Sequence, residues 1–131
     1  MARLRKIYDI KYDPERIAMI QKASAETKEY GFIPTNGLFG TPTWWKAIED
    51  GTVASHISEG TITRVFMSGH NDWPEFELSD GHEQARWTRE GDAKAYIEGA
   101  SVRIVYIIQQ AKRSWGSGLN HKLVLQIWVG V

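Results

Sequence analysis

The sequence has no cysteine, which excludes disulfide bridges, thiolate nucleophiles and cysteine-ligated zinc sites. This absence agrees with a reducing compartment, and we expect a cytoplasmic protein. A signal peptide is not expected, because charged residues recur through Glu15 and leave no apolar segment. No apolar run approaches the ~20 residues that cross a bilayer, so no membrane partner is expected either.

An excess of either charge is also lacking, since 16 Lys and Arg residues balance 16 Asp and Glu residues. Non-specific nucleic-acid binding depends on phosphate neutralisation by Lys and Arg, so zero net charge disfavours it. Neutrality also weakens colloidal repulsion and permits self-association. Motifs for an activated serine, a phosphate-binding loop or a dinucleotide site are missing. We therefore expect no cofactor, and the sequence favours a protein that is not an enzyme.

The length of 131 residues fits a single domain spanning residues 1–131, without a linker-like segment. Residues 1–52 are predicted to form an extension with a short strand over residues 6–12 and two helices. The first helix is predicted over residues 14–30, because Asp13 can cap it, Pro14 suits its first position and Gly31 suits its end. The second is predicted from Thr41 to Gly51.

Residues 53–131 show the alternation of apolar and polar residues that is typical of strands. Strands are predicted over residues 61–67, 75–78, 85–87, 102–109 and 121–129. Asp80 and Gly81 predict a hairpin turn, and Asp92 can begin a short helix that Gly99 ends. The inward positions of this pattern predict a buried core of Phe76, Leu78, Trp87, Val102, Ile104, Tyr106, Leu125 and Ile127.

This order, with a short helix between the third and fourth of five strands, resembles the OB-fold over about residues 53–131. The resemblance is to a superfold and not to one family, and functions do not transfer with it. It implies a mainly β, α+β fold: a five-stranded, partly open barrel with the N-terminal helices packed against it. An SH3-like or lipocalin-type meander is the alternative, and it would lack the helix between residues 87 and 102.

The OB-fold resemblance also implies that two loops frame a ligand face. One loop carries Trp73 and the other carries Lys112, Arg113 and Trp115, while Arg86 lies on a neighbouring strand. Cations can neutralise phosphate and tryptophan rings can stack on bases or sugars, so weak binding of single-stranded nucleic acid or oligosaccharide is one hypothesis. Alternatively, these tryptophans cover the ends of the barrel.

Two further groups of residues suggest other functions. Trp44 and Trp45 on the second predicted helix could dock a protein partner, or could pack against the barrel. His70, Asp72 and His82 are metal-ligand residue types that a small hydrolase or lyase could use, although their spacing matches no known ligand motif. The sequence as a whole favours a non-catalytic binding or adaptor module with a protein or small-ligand partner.

Overall fold

The structure of the protein is a computed structural model, and it describes residues 3–113 and 119–130. These residues contain six β-strands, two α-helices and two short 3-10 helices. The 3-10 helices span Ile10–Tyr12 and Ala93–Ala95. In chain order, the other elements are β1 (Leu4–Asp9), α1 (Pro14–Glu26), α2 (Pro42–Glu49), β2 (His56–Ser68), β3 (Trp73–Ser79), β4 (Gln84–Thr88), β5 (Ser101–Gln110) and β6 (Asn120–Gly130). None of the helices in the described ranges is both long and apolar enough to cross a membrane.

The strands form one sheet in the order β1-β6-β5-β2-β3-β4. The predicted fold class, a mainly β, α+β fold with a partly open barrel, is confirmed, because the structure has an open antiparallel sheet and two helices. The short helix predicted after Asp92 is also present, as the 3-10 helix at Ala93–Ala95. A sixth strand joins the predicted five, because the N-terminal segment pairs with β6 from Leu4↔Gly130 onward. It begins earlier than predicted and ends at Asp9, where the chain turns into the 3-10 helix Ile10–Tyr12.

The chain divides into two compact units. The first comprises Met1–Asp9, Ile57–Val105 and Gln126–Val131, and the second comprises Ile10–His56 and Tyr106–Leu125. That the whole chain folds as a single domain therefore stays a prediction.

The first unit is a partly open barrel in which the segment after β4 closes onto β1. A Cβ added to Gly91 would lie 2.6 Å from the carbonyl oxygen of Ile7, so the two backbones are in direct contact there. Burial raises the pKa of Tyr96 beside this contact, and its hydroxyl donates to the carbonyl of Glu90 at 2.7 Å. The tyrosine is therefore held neutral inside the first unit.

The buried core matches the alternation in the sequence at seven of the eight predicted positions. The eighth, Tyr106, is less buried than the other seven. In β5 the inward positions shift from Val102 and Ile104 to Ile107, so Ile107 is fully buried and Tyr106 is only half-buried. The ring of Tyr106 instead stacks on His56, with 5.3 Å between the ring centroids.

In the second unit, α1 begins as predicted but ends four residues early. Asp13 accepts a hydrogen bond from the backbone of Arg16, and Pro14 occupies the first turn. The helix ends at Glu26 because Thr27 adopts an extended backbone and uses its hydroxyl as a cap. That hydroxyl donates to the carbonyl of Ala23 at 2.7 Å and accepts from the backbone N–H of Tyr30 at 3.0 Å.

Candidate functional site

Trp44, one half of the predicted docking pair, is a core residue of the second unit. Thr41 caps α2 and the helix turns Trp44 inward, where it is only 1% exposed. Its indole Nε1 donates to Oε1 of Gln109 at 3.1 Å, and its ring centroid lies 4.4 Å from that of Phe39. Trp45 packs edge-on against Trp44 and remains half-buried, with Nζ of Lys11 5.3 Å from its ring. Of the pair, Trp45 has the larger exposed surface.

Trp73 and Arg86 lie in the first unit, at different positions along the β3–β4 hairpin. Trp73 begins β3, is 54% exposed and donates its indole N–H to the hydroxyl of Thr88 at 3.0 Å. Arg86 faces Glu77 across the hairpin, and its guanidinium lies 5.3 Å from the ring of Phe66. Residues 73 and 77 are about 13 Å apart along a strand, so these two predicted ligand residues do not converge.

Lys112 and Arg113 are both engaged within the second unit. Lys112 donates from Nζ to the carbonyl oxygens of Ser24 and Thr27, the latter at 2.6 Å, and thereby binds the C-terminal end of α1. Cations are favoured there by the exposed carbonyls and the helix dipole. Arg113 pairs with Glu29, with Nη1 and Oε2 3.3 Å apart. Trp115 lies outside the described residues.

His70, Asp72 and His82 are not brought together. His70 and Asp72 precede β3 and His82 follows it, and this strand of seven residues separates its ends by about 20 Å. Beside His82, the backbone N–H groups of Glu83 and His82 hold the pKa of Asp80 below its ordinary value as the hairpin turns. Within residues 3–113 and 119–130, no three His, Cys, Asp or Glu residues form a group that could hold a metal ion.

The second unit contains an apolar groove that the sequence did not predict. The groove has a volume of about 520 Å³ and lies between α1, the segment after it and the start of β6. Met19, Ile20 and Ala23 line it from α1, since positions three and four apart share a helix face. Phe32 and Leu123 line it from the other elements. The sequence carries a signal for this helix face, because Ala23 follows Met19 by four positions and Ile20 by three.

Hydrogen bonds fix the backbone at Gly31 and Phe32, which forms the floor of this groove. The hydroxyl of Ser24, which is 5% exposed, donates to the carbonyl of Ile20 at 2.7 Å and accepts from the backbone of Phe32 at 2.9 Å. Phe32 also forms an antiparallel bridge with Ala111, and the backbone of Lys112 donates to the carbonyl of Gly31 at 3.2 Å. The floor is therefore tied both to α1 and to the end of β5.

The charges that line the groove are cationic. Arg16 lies on its helix side and Lys122 on its strand side, and no Asp or Glu belongs to the lining. The ammonium of Lys122 lies 5.4 Å from the ring of Tyr106, which is outside the lining. His121 lines it too, and its Nε2 atom is buried without a hydrogen-bond partner among the described residues. Its ring lies 6.4 Å from the ring of Phe32. The groove thus combines apolar walls, two cations and an imidazole nitrogen without a hydrogen bond.

Two exposed apolar side chains lie beside the groove opening. Met19 is 66% exposed and Tyr30 is 51% exposed, although both belong to the lining. Methionine and tyrosine are among the residue types that are enriched in protein interfaces. Exposed apolar residues that are grouped around a groove are more informative than single ones scattered over a surface.

A second groove, in the first unit, is larger and more polar. Its volume is about 640 Å³, and its lining includes Glu59, Thr61, Asp80 and Arg103. Arg103 is already paired with Glu59, with Nε and Oε1 3.1 Å apart. This groove is therefore less suited to apolar side chains, because a larger share of its lining is polar.

The chain is similar to a known protein family. The family model described as Immunity protein RhsI2 matches residues 4–129, which is nearly the whole chain. No curated protein matches the chain.

Proposed function

The chain belongs to the RhsI2 immunity protein family, and on this premise we propose that it protects its host by binding a protein toxin and blocking it. The family match over residues 4–129 carries this proposal, because the word immunity describes protection against a toxin. The expected protein partner is then a toxin, and the favoured function, a non-catalytic binding module, becomes a specific inhibitor. We expect binding in the cytoplasm, which agrees with a chain that lacks cysteine.

The second unit supports this proposal with a surface suited to a protein. Interfaces that hold tightly are centred on apolar or aromatic side chains within a polar rim. Met19 and Tyr30 supply exposed apolar surface, and Arg16 and Lys122 supply charge around it. Some nuclease toxin–immunity pairs reach Kd values of about 10⁻¹³–10⁻¹⁶ M, so high affinity is expected.

A titration of toxin activity tests whether the chain acts by binding or by catalysis. Increasing amounts of the purified protein are added to a fixed amount of the toxin that its host produces. An inhibitor that binds one to one lowers the activity linearly until it reaches zero at one equivalent, and longer preincubation leaves that endpoint unchanged. Full inhibition at a small fraction of one equivalent would show that the chain is an enzyme, and activity that persists at large excess would contradict the proposal.

The other hypotheses receive less support from the positions of their residues. Nucleic-acid or oligosaccharide binding required Lys112, Arg113 and the loop tryptophans, but Lys112 binds the end of α1 and Arg113 pairs with Glu29. A hydrolase or lyase required His70 and His82 to meet, and β3 separates them. Tryptophan fluorescence during titration with labelled single-stranded DNA and RNA at low salt checks the first of these; we expect no quenching.

A further inference from the structure

We infer that the toxin docks in the groove beside α1, and that it fills this groove with an acidic segment carrying an apolar side chain. The inference rests on the proposed function, since it names the surface and the chemistry of the same partner. It follows from three properties of the second unit: the shape of the groove, the charge of its lining and the exposed face of α1.

The groove is the right size for side chains of a partner. Its volume of about 520 Å³ falls within the ~300–1,000 Å³ that ligand pockets occupy. Its walls are largely apolar, with Ile20, Phe32 and Leu123 among the lining residues. Such a groove accepts apolar side chains that project from a protein surface, because transfer of apolar surface out of water is favourable.

The face of α1 that borders the groove is not the face that packs inside the unit. Ser24 and Gln21 are on the inner face: Ser24 is buried, and Gln21 donates to the carbonyl of Phe39 at 3.0 Å. Met19 is on the groove side and is 66% exposed. An exposed helix face with an apolar centre is a common docking surface for a partner segment.

The charge of the second unit selects an acidic partner. The lining of the groove includes Arg16 and Lys122 and no Asp or Glu. The whole second unit carries eight Lys and Arg residues against six Asp and Glu residues, whereas the first carries eight against ten. Because complementary potentials meet across interfaces, an acidic segment is directed to the second unit and away from the first.

His121 provides a specific contact for such a segment. Its Nε2 atom is buried and has no hydrogen-bond partner among residues 3–113 and 119–130, and the residue lines the groove. Buried polar atoms are normally hydrogen-bonded, and a group left without a partner calls for an explanation. Rotation of the His121 ring toward the groove would bring Nε2–H to a carboxylate of the toxin, which would supply that partner.

Paired substitutions test the apolar and the acidic parts of the inference separately. Met19→Asp is compared with Ile97→Asp, because Ile97 is 65% exposed in the first unit. Arg16→Glu and Lys122→Glu are compared with Lys22→Glu, because Lys22 is an exposed residue of α1 outside the groove lining. Binding of each variant to the purified toxin is measured by stopped-flow fluorescence at low and moderate salt, and the unfolding midpoint of each variant confirms that it is folded.

We expect Met19→Asp to weaken binding about 30-fold or more, as the loss of a central interface residue does, with Ile97→Asp within about threefold of the wild type. We expect Arg16→Glu and Lys122→Glu to slow association about tenfold at low salt and to reduce its salt dependence, with Lys22→Glu having a smaller effect. A photo-crosslinking amino acid at position 19 should capture a toxin peptide that contains Asp or Glu.

Each contrary outcome has a distinct meaning. Wild-type protein that fails to bind the toxin overturns the proposed function itself. Tight wild-type binding with groove variants no weaker than their controls overturns only the groove as the docking site. Faster association of Arg16→Glu, or capture of a basic peptide, overturns the acidic occupant. A dimer that Met19→Asp dissociates in sedimentation measurements would assign the groove to a second copy of this chain.

Discussion

Replacing Gly31 with alanine should destabilise the second unit through two separable effects. Gly31 adopts a φ of +79°, a region that costs a residue with a Cβ about 1–2 kcal/mol. The new Cβ would also lie 2.5 Å from the backbone nitrogen and 2.7 Å from the Cα of Ser24. Forcing such an overlap typically costs a further ~1–3 kcal/mol. We therefore expect Gly31→Ala to lower the free energy of unfolding by about 2–5 kcal/mol.

Gly51→Ala is the matched control that measures the cost of the left-handed backbone alone. Gly51 has a φ of +82°, but an added Cβ would meet nothing within 4 Å. This variant should therefore lose only the ~1–2 kcal/mol of the left-handed backbone. The difference between the two variants isolates the close approach of Gly31 to α1.

Urea unfolding followed by tryptophan fluorescence measures both variants. The slope of the unfolding free energy is about 1–3 kcal/mol per molar urea for small proteins, so a difference of ~2 kcal/mol separates the two midpoints by about 1 M. Equal midpoints would refute the reasoning, because the contact with Ser24 would then contribute nothing. The double variant Ser24→Ala, Gly31→Ala should show no rescue, since the backbone atoms that cause the overlap remain.

Three further predictions concern the core, the end of α1 and the response to alkaline pH. Ile104→Ala should lower the unfolding free energy by about 2–5 kcal/mol because Ile104 is fully buried; an unmoved midpoint would remove it from the core. Lys112→Met should cost about 1–3 kcal/mol because it leaves the last carbonyls of α1 without their donor, whereas Arg113→Met breaks an exposed ion pair and should cost ~0–1 kcal/mol; equal losses would contradict this assignment. The raised pKa of Tyr96 contributes stability that is complete below its ordinary pKa of about 10 and is lost as pH rises beyond it, by ~1.4 kcal/mol per pH unit. Above pH 10, the unfolding free energy of Tyr96→Phe should therefore fall less steeply with pH than that of the wild type. Identical slopes of unfolding free energy against pH would contradict this prediction.

Local patterns in the sequence determined the elements of this fold. Asp13 caps the first helix as its side chain predicted, and the second helix begins after Thr41 as predicted. Asp80 binds the backbone of the hairpin that it predicted. The alternation around Phe76 and Leu78 likewise predicted which side chains are buried. Each of these features depends on residues within a few positions of one another, so consecutive letters are enough to specify it.

Tertiary structure alone decided the roles of several residues that the sequence marked as functional. Lysine is a residue type that binds phosphate, but the amine of Lys112 donates to the carbonyl of Thr27, 85 positions earlier in the chain. Tryptophan is a residue type that often docks a partner, but Trp44 lies inside the second unit. Its indole N–H donates there to Gln109, 65 positions later in the chain. A side chain's availability depends on partners that lie far away in the sequence.

The groove beside α1 could not be predicted from the sequence for the same reason. Its walls come from a helix near the N-terminus and a strand near the C-terminus, and its floor exists because Phe32 pairs with Ala111. In the sequence Met19 resembles an ordinary core residue, but in the structure it is 66% exposed. Periodicity reports which face of an element is apolar, but only packing decides whether another part of the chain covers that face or leaves it for a partner.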